Sequence, residues 1–220
     1  MKKLVFKMKK VAFAVSLLCV SASVFGMGHM SVNDISWFAS AENGNLKVIN
    51  MQIRSGQDLN RKNGGGNTAL MIAARRGHFD IVNSLMGSDI NAINKKGETA
   101  LILATRAGHH GIVKLLIDSG ADVNVESWGS GHFQIGMERL QKSKRLAQRV
   151  RKLGLSASII KGRSPLVIAT ELGDTEVVRW LINAGADVNV VDRTGSTPLS
   201  VANEEGYPDI VYLLEEAGAN

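Results

Sequence analysis

Residues 97–124 read GETALILATRAGHHGIVKLLIDSGADVN, and their spacing spells out two short helices and a turn. Thr99 offers a hydroxyl to cap a helix beginning at Ala100. Ala104 is small enough for another helix to approach closely, and Gly108 ends the helix where a left-handed residue is favoured. Ile112, Val113 and Leu116 then recur at helical spacing and give the second helix an apolar stripe. One such pair cannot bury that stripe alone; a stacked neighbour must do it.

The chain supplies the neighbours. GNTALMIAARRGHFDIV at 66–82, GRSPLVIATELGDTEVV at 162–178 and GSTPLSVANEEGYPDIV at 195–211 align with the opening stretch. A less regular copy, DISWFASAENGNLKVI, lies at 34–49. The helix-ending glycines are Gly44, Gly77, Gly108, Gly173 and Gly206, at steps of 33, 31, 65 and 33 residues. The step of 31 comes from the shortened turn LMGSDIN, where other copies carry LIDSGADVN and LINAGADVN. Thr68, Ser164 and Thr197 repeat the capping hydroxyl, and Pro165 and Pro198 suit a first helical turn. Ala73, Ala169 and Ala202 repeat the small contact residue. Ile81, Val82 and Leu85, then Val177, Val178 and Leu181, then Ile210, Val211 and Leu214 repeat the stripe. The first copy, with Trp37 and Phe38, and the last, with Glu204, Glu205, Glu215 and Glu216, read as capping repeats.

The recurring Gly-x-Thr-Pro/Ala-Leu, Gly-His, Ile-Val, Leu-Leu and Gly-Ala-Asp-Val-Asn elements resemble the ankyrin repeat family. Departures are Ala69 and Ala100 for proline, Ser164 for threonine, and Met71, Ile102, Val167 and Ser200 for histidine. They weaken local capping without changing the fold. The resemblance implies an all-α solenoid of helix-turn-helix pairs joined by hairpin loops. Its five repeats fall at about 33–61, 62–92, 93–125, 162–191 and 192–220, within a domain spanning 27–220.

Between the third and fourth repeats the pattern stops. A hairpin of about five residues should join Val125 to Gly162, so roughly 32 extra residues are inserted, at 126–161. Glycine-rich ESWGSGHFQIG carries Trp128, His132 and Phe133. Met137, Leu140, Ala147, Val150 and Leu153 then keep helical spacing among Lys142, Lys144, Arg145, Arg149 and Arg151. This predicts a loop, a basic amphipathic helix of about four turns, and a return strand SASII.

At the other end, MKKLVFKMKK precedes the apolar run VAFAVSLLCV and the small residues of SASVFGMG. A basic start, a short apolar core and small residues predict a secretory signal peptide over 1–26. Cleavage after Gly26 or after Ala22 fits, and Met8 opens a second possible start. The sole cysteine, Cys19, lies inside this leader, so the mature chain is expected to have no thiol and no disulfide. The expected location is the periplasm, with no integral membrane association once the leader is removed.

Charge follows the same division. The leader holds five of the 26 Lys and Arg residues, leaving 26 − 5 = 21 against 20 acidic ones. The near-neutral mature chain gives no support for nucleic-acid binding. From Glu126 to Arg163 there are nine basic and two acidic residues, net +7, leaving the rest of the mature chain at 12 − 18 = −6. An acidic solenoid therefore carries a basic arm, which either folds onto its own body or clasps an acidic partner.

The resemblance also places the two residues before each helix-ending glycine on a concave groove. They are Arg75 and Arg76, Arg106 and Ala107, Glu171 and Leu172, and Glu204 and Glu205, a run from positive to negative. Lys95, Lys96 and Arg193 sit at hairpin tips. These charges, together with Trp128, Phe133, Lys142, Arg145, Arg149 and Arg151 of the arm, form the expected partner site.

No catalytic motif competes with this reading. KNGGGNT lacks the Gly-Lys-Ser/Thr ending of a phosphate loop. The five histidines show no metal-ligand spacing, and no nucleophile–base arrangement stands out. The expectation is a non-enzymatic binding protein without cofactor or metal, monomeric when free, that holds a folded protein. The resemblance to periplasmic ankyrin proteins implies an enzyme as partner: a peptidoglycan endopeptidase of the penicillin-binding type, sequestered for self-protection. The alternatives are a stabiliser of another periplasmic enzyme such as a catalase, or a secreted effector that binds a host protein or an anionic envelope surface.

Overall fold

The computed structural model describes residues 31–127, 162–192 and 194–220. The leader and most of the arm, including Trp128, Phe133, Lys142, Arg145, Arg149 and Arg151, lie outside the described residues, as do Arg193 and the expected basic helix and return strand.

Ten helices among the described residues form five antiparallel pairs. They are α1 (Val32–Asn43) with α2 (Leu46–Arg54), and α3 (Ala69–Arg76) with α4 (Phe79–Ser84). Next come α5 (Ala100–Arg106) with α6 (His110–Asp118), and α7 (Pro165–Glu171) with α8 (Thr175–Asn183). The last pair is α9 (Pro198–Glu205) with α10 (Pro208–Glu216). The first helices of each pair stack in one row and the second helices in another; α5 packs on α7 directly, so the stack is continuous across the interruption.

Each first helix starts where the sequence puts a hydroxyl. Thr68 Oγ1 accepts from Met71 N at 3.3 Å, Thr99 Oγ1 from Ile102 N at 3.3 Å, Ser164 Oγ from Val167 N at 3.3 Å and Thr197 Oγ1 from Ser200 N at 3.1 Å. The first copy uses Ser31 and Asp34 in a reciprocal capping box. The helices end at the repeat glycines, all with positive φ. Ala73, Ala104, Ala169 and Ala202 are completely buried between neighbouring helices. The stripe residues Ile81, Ile112, Val177 and Ile210 are no more than 2% exposed, each contributing about 1.5–3 kcal/mol of burial.

One side-chain device ties repeat to repeat. Asn60, Asn91, Asn124 and Asn189 each accept, through Oδ1, a backbone N–H one repeat on: Asp89, Asp122, Asp187 and Asn220, at 2.7–3.1 Å. The hairpins are closed by backbone bonds from Asn63 N to Asn67 O, from Asn94 N to Glu98 O and from Asp192 N to Ser196 O. In the interrupted copy the matching bond runs from Ser127 N to Arg163 O at 3.1 Å. The separation there is 36 residues, against four in the third repeat. Gly162 sits at this closure, where an added Cβ would run into the Ser127 carbonyl.

Candidate protein-binding surface

The row that the family resemblance makes concave is built from the last turns of α1, α3, α5, α7 and α9. Each helix is fixed behind by its buried alanine and in front by its glycine stop, so the two residues before the glycine face outward together. Lys95 and Lys96 are exposed at a hairpin tip, as expected.

The groove charges are not left free. Arg75 Nη2 lies 3.2 Å from Glu42 Oε2, and Arg76 pairs with the same carboxylate. The hydrogen bond from Arg76, against some burial and with help from Arg75, holds the Glu42 carboxyl below the usual carboxylate range. Arg106 pairs with Glu98, and Arg163 Nη1 lies 2.8 Å from Glu171 Oε2. The expected gradient from positive to negative is thereby flattened: Glu42 shares the basic end, and repeats three and four each contribute a neutral pair. Glu204 and Glu205 are exposed with no ion-pair partner among the described residues, so surplus negative charge gathers at the C-terminal end.

Burial and neighbours set the carboxyls apart. Burial opposes ionisation of Glu98, but hydrogen bonds from Asn94 and Arg106 overcome it and keep its carboxyl low. Burial also raises Glu171; Arg163 and Arg106 oppose this, while Asp192 and Glu205 add to it. Asp192 is buried too, yet the Thr194 hydroxyl and the Ser196 and Thr194 amides hold it low. Between the two neutral pairs and the acidic end stands Leu172, 52% exposed.

Three contributors were missed in the sequence: Glu42, Glu98 and Arg163. Glu42 occupies the groove position of the irregular first copy. Glu98 and Arg163 follow the hairpin glycine, eight residues before Arg106 and Glu171. Aligning that column would have revealed the reversed signs.

The histidines divide by position. His78 lays its ring on Gly44 with Nε2 3.1 Å from the Glu42 carbonyl, and His109 lays its ring on Gly77 with Nε2 3.2 Å from the Arg75 carbonyl. Both are packing residues. His110 points elsewhere, with Nε2 2.5 Å from Asp174 Oδ2 and its ring edge-on to Trp180. Among the described residues, no group of three His, Cys, Asp or Glu side chains could hold a metal ion, and no helix is long and apolar enough to cross a membrane.

Comparison with known proteins places the fold. The profile of the family described as Ankyrin repeats (3 copies) matches residues 37–127 and 140–220. Protein phosphatase 1 regulatory subunit 27 of Mus musculus is 40% identical over 72 residues, 33% of this chain and 47% of that protein. A putative ankyrin repeat protein of Rickettsia felis is 43% identical over 58 residues, 26% of this chain and 30% of its own length. The tyrosine-protein kinase HTK16 of Hydra vulgaris is 34% identical over 74 residues, 34% of this chain and 10% of the kinase. The chain thus spans less than half the length of each of these relatives. A phosphatase subunit and a kinase share with it the repeat unit, a module for protein–protein interaction. With the family profile covering most of its length and stacked helix pairs carrying it, the chain belongs to the ankyrin repeat family.

Proposed function

We propose that this chain is an exported binding module that occupies the surface of a folded periplasmic enzyme and restrains it. A peptidoglycan endopeptidase of the penicillin-binding type is the partner we put first. The observation that carries the binding reading is Leu172, a half-exposed apolar side chain next in the chain to Glu171, whose carboxylate pairs with Arg163. An apolar anchor inside a polar rim is how a few interface residues come to dominate affinity. The basic arm, with Lys142, Arg145, Arg149 and Arg151, would add steering toward an acidic surface beside the groove. Export is supported by the leader-like residues 1–26. Action through occupancy of an enzyme also agrees with a relative named as a phosphatase regulatory subunit.

The test is capture from periplasmic extract by the tagged mature chain, with the partner identified by mass spectrometry and its wall-cutting activity assayed. A captured endopeptidase whose activity falls as the chain is added supports the reading. Leu172→Asp should weaken that capture at least about tenfold, the scale of an interface hot spot. Recovery of the chain only in the cytoplasm with residues 1–26 intact defeats it. Capture of anionic polymer, lost with the arm and with salt, moves the function to the envelope surface.

A further inference from the structure

Three of the four joints between successive repeats are locked in one way. The residue after the helix-ending glycine swings its ring back over the glycine of the preceding repeat. His78 covers Gly44, His109 covers Gly77 and Tyr207 covers Gly173, each so closely that an added Cβ would sit 2.7–2.8 Å from the ring. The two histidines also reach a backbone carbonyl of the preceding helix, Glu42 O and Arg75 O. The joint between the third and fourth repeats breaks the rule. Its lock position is Asp174, which has no ring, and nothing among the described residues lies within 4 Å of a Cβ placed on Gly108. As a carboxylate, Asp174 has no donor for the Arg106 carbonyl.

What replaces the ring is charge. Asp174 caps its own helix at Val177 N, 3.2 Å away, and turns Oδ2 to His110 Nε2 at 2.5 Å. Glu176 Oε2 lies 4.0 Å from His110 Nδ1. Trp180 meets the imidazole edge-on, and Lys114, on the same helix as His110, lies 5.9 Å from the Trp180 centroid. From the second repeat, Phe79 packs beside Gly111. His110 is half exposed, so this pair feels solvent and salt far more than a packed ring does. The Ser127–Arg163 closure lies at the same joint.

We propose that the joint between the third and fourth repeats is the hinge of the stack, held by the exposed, salt-sensitive contact of His110 with Asp174 where the other joints carry a packed ring. It divides the concave row into an Arg75, Arg76 and Arg106 side and a Glu171, Glu204 and Glu205 side, so opening it changes the width of the groove at its middle. His110 faces Asp174 and Glu176 across this joint, so added salt, which screens that exposed contact, loosens it. At the last joint Tyr207 packs on Gly173, and no ion pair crosses there among the described residues. The hinge concerns the stack itself and holds whatever partner the groove takes.

Amide hydrogen exchange of the mature chain, corrected for intrinsic rates, reads each joint separately. Peptides over 107–113 and 172–178 report this joint, and peptides over 205–211 report the lock of Tyr207 on Gly173. In high salt, protection at the hinge should fall about two- to fivefold, the worth of an exposed ion pair, while 205–211 stays constant. His110→Gln should abolish that response. Asp174→His, which returns a ring to the open space at Gly108, should slow exchange at the joint and remove its salt dependence. Equal responses at both joints overturn the proposal, as does an Asp174→His chain with wild-type exchange.

Discussion

Glu98 and Arg106 in the third repeat occupy the same two frame positions as Arg163 and Glu171 in the fourth, with the charges exchanged. The pairs look equivalent on paper, yet their surroundings are not. Glu98 is 7% exposed, takes the amide of Asn94 as well as Arg106, and stays ionised easily. Arg163, in the same hairpin position, is exposed, and its partner Glu171 stands beside Asp192 and Glu205 with a raised carboxyl. Position decides the role: the acid at the hairpin is a structural anchor, whereas the acid on the helix stands in the row proposed to bind. The hairpins differ as well. Gly97 turns with a left-handed φ of 70°, whereas Gly162 is needed for lack of space against Ser127.

The largest expected effect separates those two glycines. Gly162→Ala drives a methyl into the Ser127 carbonyl and should cost about 3 kcal/mol or more in urea denaturation, since the backbone must move. Gly97→Ala should cost the left-handed strain, about 1–2 kcal/mol. Equal losses would erase the distinction between the two hairpins.

Next come the pairs. Glu98→Gln leaves the buried Asn94 amide and the Arg106 guanidinium imperfectly met and should cost about 1–3 kcal/mol. Arg163→Gln removes an exposed pair and should stay below about 1 kcal/mol in the same measurement.

The smallest effect is in the pH dependence of stability. Glu98 has a lowered folded pKa, so its contribution is present above the ordinary glutamate range and lost as pH falls through the folded value. Glu171 has a raised folded pKa, so stability falls as pH rises from the unfolded value through the folded one, and the cost remains at neutral pH. Glu171→Gln should therefore match or slightly exceed wild-type stability at pH 7, with the gain gone in acid. A clear loss at pH 7 would mean that the Arg163 pair outweighs burial.

Repetition made most of the fold legible. Capping threonines, glycine stops and buried alanines each recur, so an ambiguous signal in one copy is settled by its neighbours. The groove positions were legible for the same reason, as the residues before Gly77, Gly108, Gly173 and Gly206. Their pairing was harder to see, because Arg75 meets Glu42 at a separation of 33 residues, and Arg106 meets Glu98 across a hairpin-to-helix gap of eight. Neither distance is a helical period. The substitution of Asp174 for a ring stood in plain view, but its meaning required knowing that His78, His109 and Tyr207 reach back over a glycine.

The Ser127–Arg163 bond makes the middle of this stack a socket. One ordinary hairpin closure holds the two mouths of the interruption together, so the repeats keep their register whatever lies between. Loop-closure entropy rises slowly with length, about 0.6 kcal/mol for each doubling, so a longer or wholly different segment plugged in between those residues would burden the scaffold little. Recognition could then diversify at this point by exchange of a single cassette, while the five helix pairs stay under separate and stricter selection for packing.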